Sequence, residues 1–337
     1  MPSSISTPPA SRPSTPFTLV LGGGAARGFA HVGVLHGLEA YGFRPSAIVG
    51  VSMGAIVGAT YALRSDWYRA LLEMDTSSFP EPLHVQEEAR QRLTEKIHTS
   101  FSYTRAAKDL FLGWGPGVHA LDAGQALLRS LTAGRNLEDS RIPVAVSTTD
   151  LQSGHRHVLR TGNAAEALYA SSALAGVLPP LMRDGRMLSD GAYADIAPID
   201  VARDFGHPVV IAVDPSQELV SSDVRNGYQA LMRAVEICHL RHGDARFAGA
   251  DLVLRPPFQR TIDTLDFDAR RECVVAGLRV VRSHQIELIQ LLTQHVDSKE
   301  QVKGGTHAGA QRRASSLPHP VPLNQAKHRE ENDGIAD

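Results

Sequence analysis

Between Phe17 and Arg64 the chain twice alternates an apolar run too short for a helix with a longer stretch of helix formers. "FTLVL" (Phe17 to Leu21) leads through "GGGAARG" into "FAHVGVLHGLEAYG", and "AIVG" (Ala47 to Gly50) leads into "SMGAIVGATYALR". Runs that are apolar at nearly every position suit strands covered on both faces. Parallel strands need long crossover connections, and the helical stretches supply them. The pattern therefore restricts the fold to the α/β class, with helices packed on a mostly parallel sheet.

The alternation returns after a long interval. "IPVAVSTTD" (Ile142 to Asp150) reads as a strand, with "GHRHVLRTG" as its partner after a turn. "NAAEALYASSALAG" reads as a helix ended by "VLPPLM", and "GRMLSDGAYADIAP" as a short strand and loop. "IDVARDFG" is a helix stopped by glycine, and "PVVIAVD" (Pro208 to Asp214) is another buried strand. A helix from about Asp223 to Arg246, a strand "DLVLR" and a helix from about Asp268 to Val296 complete a domain spanning 17–297. Residues 1–16 are Ser- and Pro-rich, and 298–337 mix polar, charged and small residues; both are expected to be disordered.

The interval from Asp66 to Leu131 is expected to be a helical insertion. It holds both tryptophans, Trp67 and Trp114, with Tyr68, Phe79, Phe101, Tyr103 and Phe111. Arg90, Arg92, Lys96, Arg105 and Lys108 are interspersed. Aromatic and cationic groups together suit a lipid headgroup boundary, so one expectation is a lid or dock at a membrane surface. The other is an accessory helical core. Glu73, Glu81, Glu87 and Glu88 weigh against a purely polybasic surface.

A net charge of −2 over 337 residues provides no field to draw in nucleic acid. The two cysteines, Cys238 and Cys273, form no disulfide framework and fit a reducing compartment such as the cytoplasm. The N-terminus lacks the basic and apolar regions of a secretory signal, and no run of roughly 18 apolar residues occurs. Any membrane contact is then peripheral.

Two glycine clusters carry the chemistry. Gly50, Val51, Ser52, Met53 and Gly54 match G-x-S-x-G at the join of a strand and a helix. In a nucleophile elbow the serine sits on a sharp, strained turn, with flanking glycines where side chains would collide. The helix N-terminus below favours an oxyanion. The alternative is an N-cap serine in a glycine-rich turn.

The loop Gly22 to Gly28 admits three ligands. A dinucleotide fingerprint counted from Gly22 and Gly24 requires glycine where Arg27 stands. A P-loop requires Lys and a hydroxyl residue after Gly28, where Phe29 and Ala30 follow. An oxyanion hole needs only consecutive N–H groups, and Gly22, Gly23 and Gly24 supply these, with Arg27 to brace the loop. A plain surface turn remains the other reading. No cofactor or metal is expected.

A reactive serine needs a base. His207, in "DFGHPVV", is the best-placed histidine for a conventional triad. The better base is Asp190, in "LSDGAYADIAP", which follows a short strand and precedes a glycine; Asp195 competes but lacks the following glycine. Asp-Gly alone is a common turn.

"GGGAARG", "GVSMG" and "DGA" occur in this order, with "ASSALAGVLPPL" between the last two. Together they resemble the patatin-like phospholipases, bacterial members included, over about residues 17 to 215. The resemblance implies a three-layer α/β/α sandwich and calcium-independent acyl-ester hydrolysis by a Ser–Asp dyad without histidine. It implies Ser52 as nucleophile and Asp190 as base. It further implies Gly22, Gly23, Gly24 and Arg27 as the oxyanion loop closed by Gly28, with the N–H of Met53 as a further donor. Ala192 stands where the aspartate motif often has a second glycine. The substrate implied is a phospholipid or other acyl ester. A short-chain esterase or thioesterase on this scaffold, and a non-catalytic binding protein, are the alternatives. Oligomeric state is not legible.

Overall fold

A computed structural model describes residues 14–76, 121–221, 224 and 227–293. The strands are β1 (Phe17–Leu21), β2 (Ala47–Val51), β3 (Val144–Asp150), β4 (Arg156–Leu159), β5 (Leu181–Arg183), β6 (Arg186–Asp190), β7 (Val209–Val213) and β8 (Leu252–Leu254). They form one sheet in the order β5-β6-β3-β2-β1-β7-β8, with β4 also paired to β3. The pairs β1–β2, β1–β7, β2–β3 and β7–β8 are parallel, whereas β4, β5 and β6 enter antiparallel.

The sheet is mostly parallel and covered on both faces, as the apolar runs require. Every residue of β1, β2 and β7 is buried. Alternate residues serve opposite sides: Leu19 and Leu21 pack into one apolar cluster, and Val20 with Val49 and Val51 into the other. The first side is covered by α1 (Ala30–Ala40), α2 (Met53–Leu63), α5 (Ala164–Ser172) and α8 (Arg270–Ser283). The second is covered by α6 (Ile199–Arg203) and the end of α7 (Gly227–Phe247). Each fully buried Leu, Ile, Val or Phe contributes about 1.5–3 kcal/mol, so this double cover is the main source of stability.

Two local expectations are corrected. The helix read to Gly176 stops at Ser172, and "VLPPLM", read only as its terminator, leads into β5, which pairs antiparallel with β6 around a turn at Asp184, where φ is +50°. The long C-terminal helix breaks at His284, whose Nδ1 lies 2.9 Å from the Val280 carbonyl, and resumes over 285–293. Of the insertion, only its two ends are described, as α3 (Trp67–Leu72) and α4 (Leu121–Leu131). Trp67 is 5% exposed with its ring 5.0 Å from that of Tyr61, and Tyr68 stacks on His36. Trp67 belongs to the core, and Tyr68 is half-buried against it. Phe79, Phe101, Tyr103, Phe111, Trp114 and the cations Arg90, Arg92, Lys96, Arg105 and Lys108 lie outside the described residues. Among the described residues no helix is long and apolar enough to cross a membrane.

Candidate active site

The sheet register brings Ser52 and Asp190 together. Val51, the last residue of β2, pairs with Ser147 of β3, and Asp190, the last residue of β6, pairs with Thr148. Thr148 also pairs with His157 of β4, and Ser147 with Val158, so β4 occupies the far edge of β3. Strands β2 and β6 therefore share the near edge. One runs parallel to β3 and the other antiparallel, and their C-terminal ends meet head-on at adjacent register positions. Residues 138 apart in sequence become neighbours: Ser52 Oγ donates to Asp190 Oδ2 at 2.6 Å.

Ser52 has φ +54° and ψ −124°, a conformation that costs a non-glycine residue on the order of 1–3 kcal/mol. This is the strained strand-to-helix turn that the G-x-S-x-G spacing predicts. The flanking glycines are obligatory by contact. A Cβ at Gly50 would stand 2.4 Å from Ala55 Cα, and one at Gly54 2.2 Å from the Leu21 carbonyl oxygen.

The turn is held by a group that the motif reading missed. The Ser52 N–H donates to Ser171 Oγ at 2.9 Å, and the Ser171 hydroxyl donates onward to the Ser147 carbonyl at 2.7 Å. Ser171 lies in "ASSALAG", where the only sequence signal was its place between the two motifs. Ser171→Ala leaves the buried Ser52 N–H without this acceptor. The expected result is a loss of about 1–3 kcal/mol, read from the denaturant midpoint, together with slower turnover.

Asp190 is 5% exposed. Burial pushes its carboxyl up to about 6, while hydrogen bonds from Ser52 and from the Ala192 N–H pull the other way. The Ala192 N–H reaches Oδ1 at 2.9 Å, which leaves Oδ2 aimed at the serine. Gly191 permits this turn, since a Cβ there would stand 2.2 Å from the Ser147 carbonyl oxygen. The result is a carboxylate poised near neutrality, the condition for a general base.

The glycine loop divides its labour. The Gly22 N–H donates to the Val213 carbonyl at 3.1 Å, so Gly22 has no donor to offer and that expectation is corrected. Gly23 and Gly24 line the same pocket as Ser52 and Asp190, and among the described residues their N–H groups meet no backbone acceptor. Arg27 braces the loop: its Nη1 donates to Glu236 Oε1 and to the Ile262 carbonyl, each at 3.1 Å. Gly28 packs against Met53 at the start of α2, where a Cβ would come within 2.6 Å. The other candidate bases are committed elsewhere. His207 pairs with Thr18 near the opposite, N-terminal ends of the parallel strands and stacks on Phe205. Asp195 takes Arg156 at 2.6 Å.

The pocket roof was not legible in the sequence. Helix α7 lines the pocket that holds Ser52 and contributes Met232, Val235, His239 and Leu240, which with Leu174 and Ile196 make a largely apolar wall. The arrangement provides a hydroxyl, an adjacent carboxylate, unpaired backbone donors and an apolar slot.

Residues 19–203 match the family described as patatin-like phospholipase. The chain is 34% identical over 197 residues to lysophospholipase NTE1 of Cryptococcus neoformans. It is 32% identical over 198 residues to mouse patatin-like phospholipase domain-containing protein 7. Each alignment covers 58% of this chain but only 11% and 13% of those relatives, so the chain spans about a tenth of their length. Among solved structures, VipD from Legionella pneumophila is similar at a TM-score of 0.44 and 14% identity, covering 81% of this chain and 68% of VipD.

Proposed function

Since the chain belongs to the patatin-like phospholipase family, we propose that it hydrolyses lipid acyl esters, with Ser52 as nucleophile and Asp190 as base. The observation that carries this reading is the 2.6 Å contact between the two side chains in a buried, oxyanion-favouring corner. Asp190 Oδ2 takes the hydroxyl proton as Ser52 Oγ attacks the ester carbonyl. The N–H groups of Gly23, Gly24 and Met53 hold the developing oxyanion. The carboxylic acid then protonates the leaving alcohol, and the same carboxylate activates the water that releases the acyl group. An aspartate is a weak base for a hydroxyl, so positioning and oxyanion stabilisation supply most of the acceleration.

Each role is filled by a group of this chain, and hydrolysis is expected to persist in EDTA. The apolar wall under α7 supports an acyl chain as the part of the substrate that is bound. A fluorophosphonate probe followed by peptide mapping tests the reading. The adduct is expected on Ser52 and absent in Ser52→Ala; a wild-type protein that takes no adduct there overturns it.

A further inference from the structure

His31 is the one histidine of α1 that the chemistry above leaves unused although it lies against the glycine loop. It is 0% exposed, and its Nε2 lies 2.8 Å from the Gly22 carbonyl oxygen. A carbonyl only accepts, so Nε2 carries the proton and the ring donates. Burial holds the imidazole down at about 4, so the ring is neutral at working pH. Nδ1 is then the bare lone pair, and it is buried with no hydrogen-bond partner. An apolar side chain would occupy this site at lower cost, because an unpaired buried polar atom is unfavourable. The single bond that His31 makes must therefore do something that packing alone does not.

What it does follows from the planarity of the Gly22–Gly23 peptide. The chain has no cis peptide bonds among the described residues. In a trans unit the carbonyl of one residue and the N–H of the next point in opposite directions from one plane. Anchoring the Gly22 carbonyl therefore fixes the direction of the Gly23 N–H. Two successive glycines have no side chains to resist rotation of the peptide between them. Rotation would turn the Gly22 carbonyl to where the Gly23 N–H now points. An acceptor would then face the oxyanion in place of a donor. The Gly22 N–H to Val213 bond restrains the peptide before Gly22 and leaves this one free.

We propose that His31 is a positioning residue for the oxyanion site: its Nε2–H locks the Gly22 carbonyl and so keeps the Gly23 N–H directed at the ester oxygen. This rests on the serine-hydrolase reading above. Gly23 lines the pocket beside Ser52, and no protein acceptor meets its N–H among the described residues.

The test uses the full chain and the water-soluble ester p-nitrophenyl butyrate, with wild type, Ser52→Ala, His31→Leu and His31→Gln compared for kcat, KM and melting temperature. Removal of one oxyanion donor lowers kcat by about 10²–10³-fold. His31→Leu is expected to fall in that range with KM changed by less than about threefold, because the ground-state carbonyl uses the donor far less than the oxyanion does. His31→Gln, whose amide N–H reaches the same carbonyl, is expected to recover kcat to within about tenfold of wild type. If His31→Leu does not fold, His31→Asn, whose amide stops short of Gly22, takes its place in the comparison with Gln. Unchanged kcat in the Leu or Asn variant, or an equal loss in the Gln variant, overturns the proposal. A Ser52→Ala protein as active as wild type overturns the hydrolase reading and the proposal with it. An inactive Ser52→Ala beside a fully active His31→Leu sinks the positioning role alone.

Discussion

Asp190→Asn is expected to lower ester hydrolysis by roughly a thousandfold or more and, at pH 7, to raise the melting temperature. The activity loss follows from removing the base, since general-base catalysis contributes about 10²–10⁴-fold and Asp190 is the group to which Ser52 Oγ donates among the described residues. The stability gain follows from the burial of the carboxylate. Its folded value of about 6 stands above the ordinary 3.8. Between those values the native state holds a proton that the unfolded chain releases. The contribution of this carboxyl to stability is therefore fully present below about pH 4 and is lost as pH rises through about 6. At neutral pH the native state carries a buried charge at a cost of about 3 kcal/mol. Asparagine keeps the shape, still accepts the Ala192 N–H, and carries no charge. Thermal melts at pH 7 and pH 4.5 measure this: the advantage of the variant is expected to shrink at the lower pH. The wild-type rate is expected to fall with decreasing pH through about 6 as the base is protonated. A variant that keeps near-wild-type hydrolysis removes Asp190 from the mechanism.

The second large effect concerns the elbow. Gly54→Ala is expected to destabilise the protein by about 3 kcal/mol or more and to abolish fluorophosphonate labelling of Ser52 in whatever protein remains folded. Overpacked cores relax by moving side chains at a cost of typically 1–3 kcal/mol, occasionally more. Here the clash is with the Leu21 carbonyl oxygen at 2.2 Å, and that atom belongs to the central strand. Relief requires α2 to move away from β1, which carries Ser52 away from Asp190 and from the glycine loop. Denaturant unfolding and probe labelling of the same preparation separate the two consequences. A variant of wild-type stability shows that the helix shifts freely, and the elbow is then not the rigid device described.

Much of the site was legible because its parts are local. A strand followed by a tight turn and a helix is written in a few residues, so the strained serine, its two obligatory glycines and the donor-rich loop could be read from "GVSMG" and "GGGAARG". The β5–β6 hairpin was not legible, since "LPPLM" has two prolines and only a short apolar run, and its pairing with β6 supplies the order. The donor role of Gly22 was misread for a related reason. Three adjacent glycines look alike in sequence, and only the neighbouring strand β7 decides which N–H is already taken. Ser171 and the α7 roof had no local signal, because a serine in a helix and a helix of mixed polarity read the same whether or not they face a pocket.

The amino-acid order by itself determined the α/β alternation, the turn that exposes Ser52 and the loop that frees backbone donors, because steric limits at glycine and the periodicity of apolar residues act over a few positions. The sequence pointed to Asp190 through its following glycine and its place in the ordered motifs, but only the tertiary structure decided how its carboxylate comes to lie beside that serine. That placement depends on two strands abutting along one edge of β3, and hydrogen-bond register across a sheet is a property of distant segments brought together, which no single segment encodes.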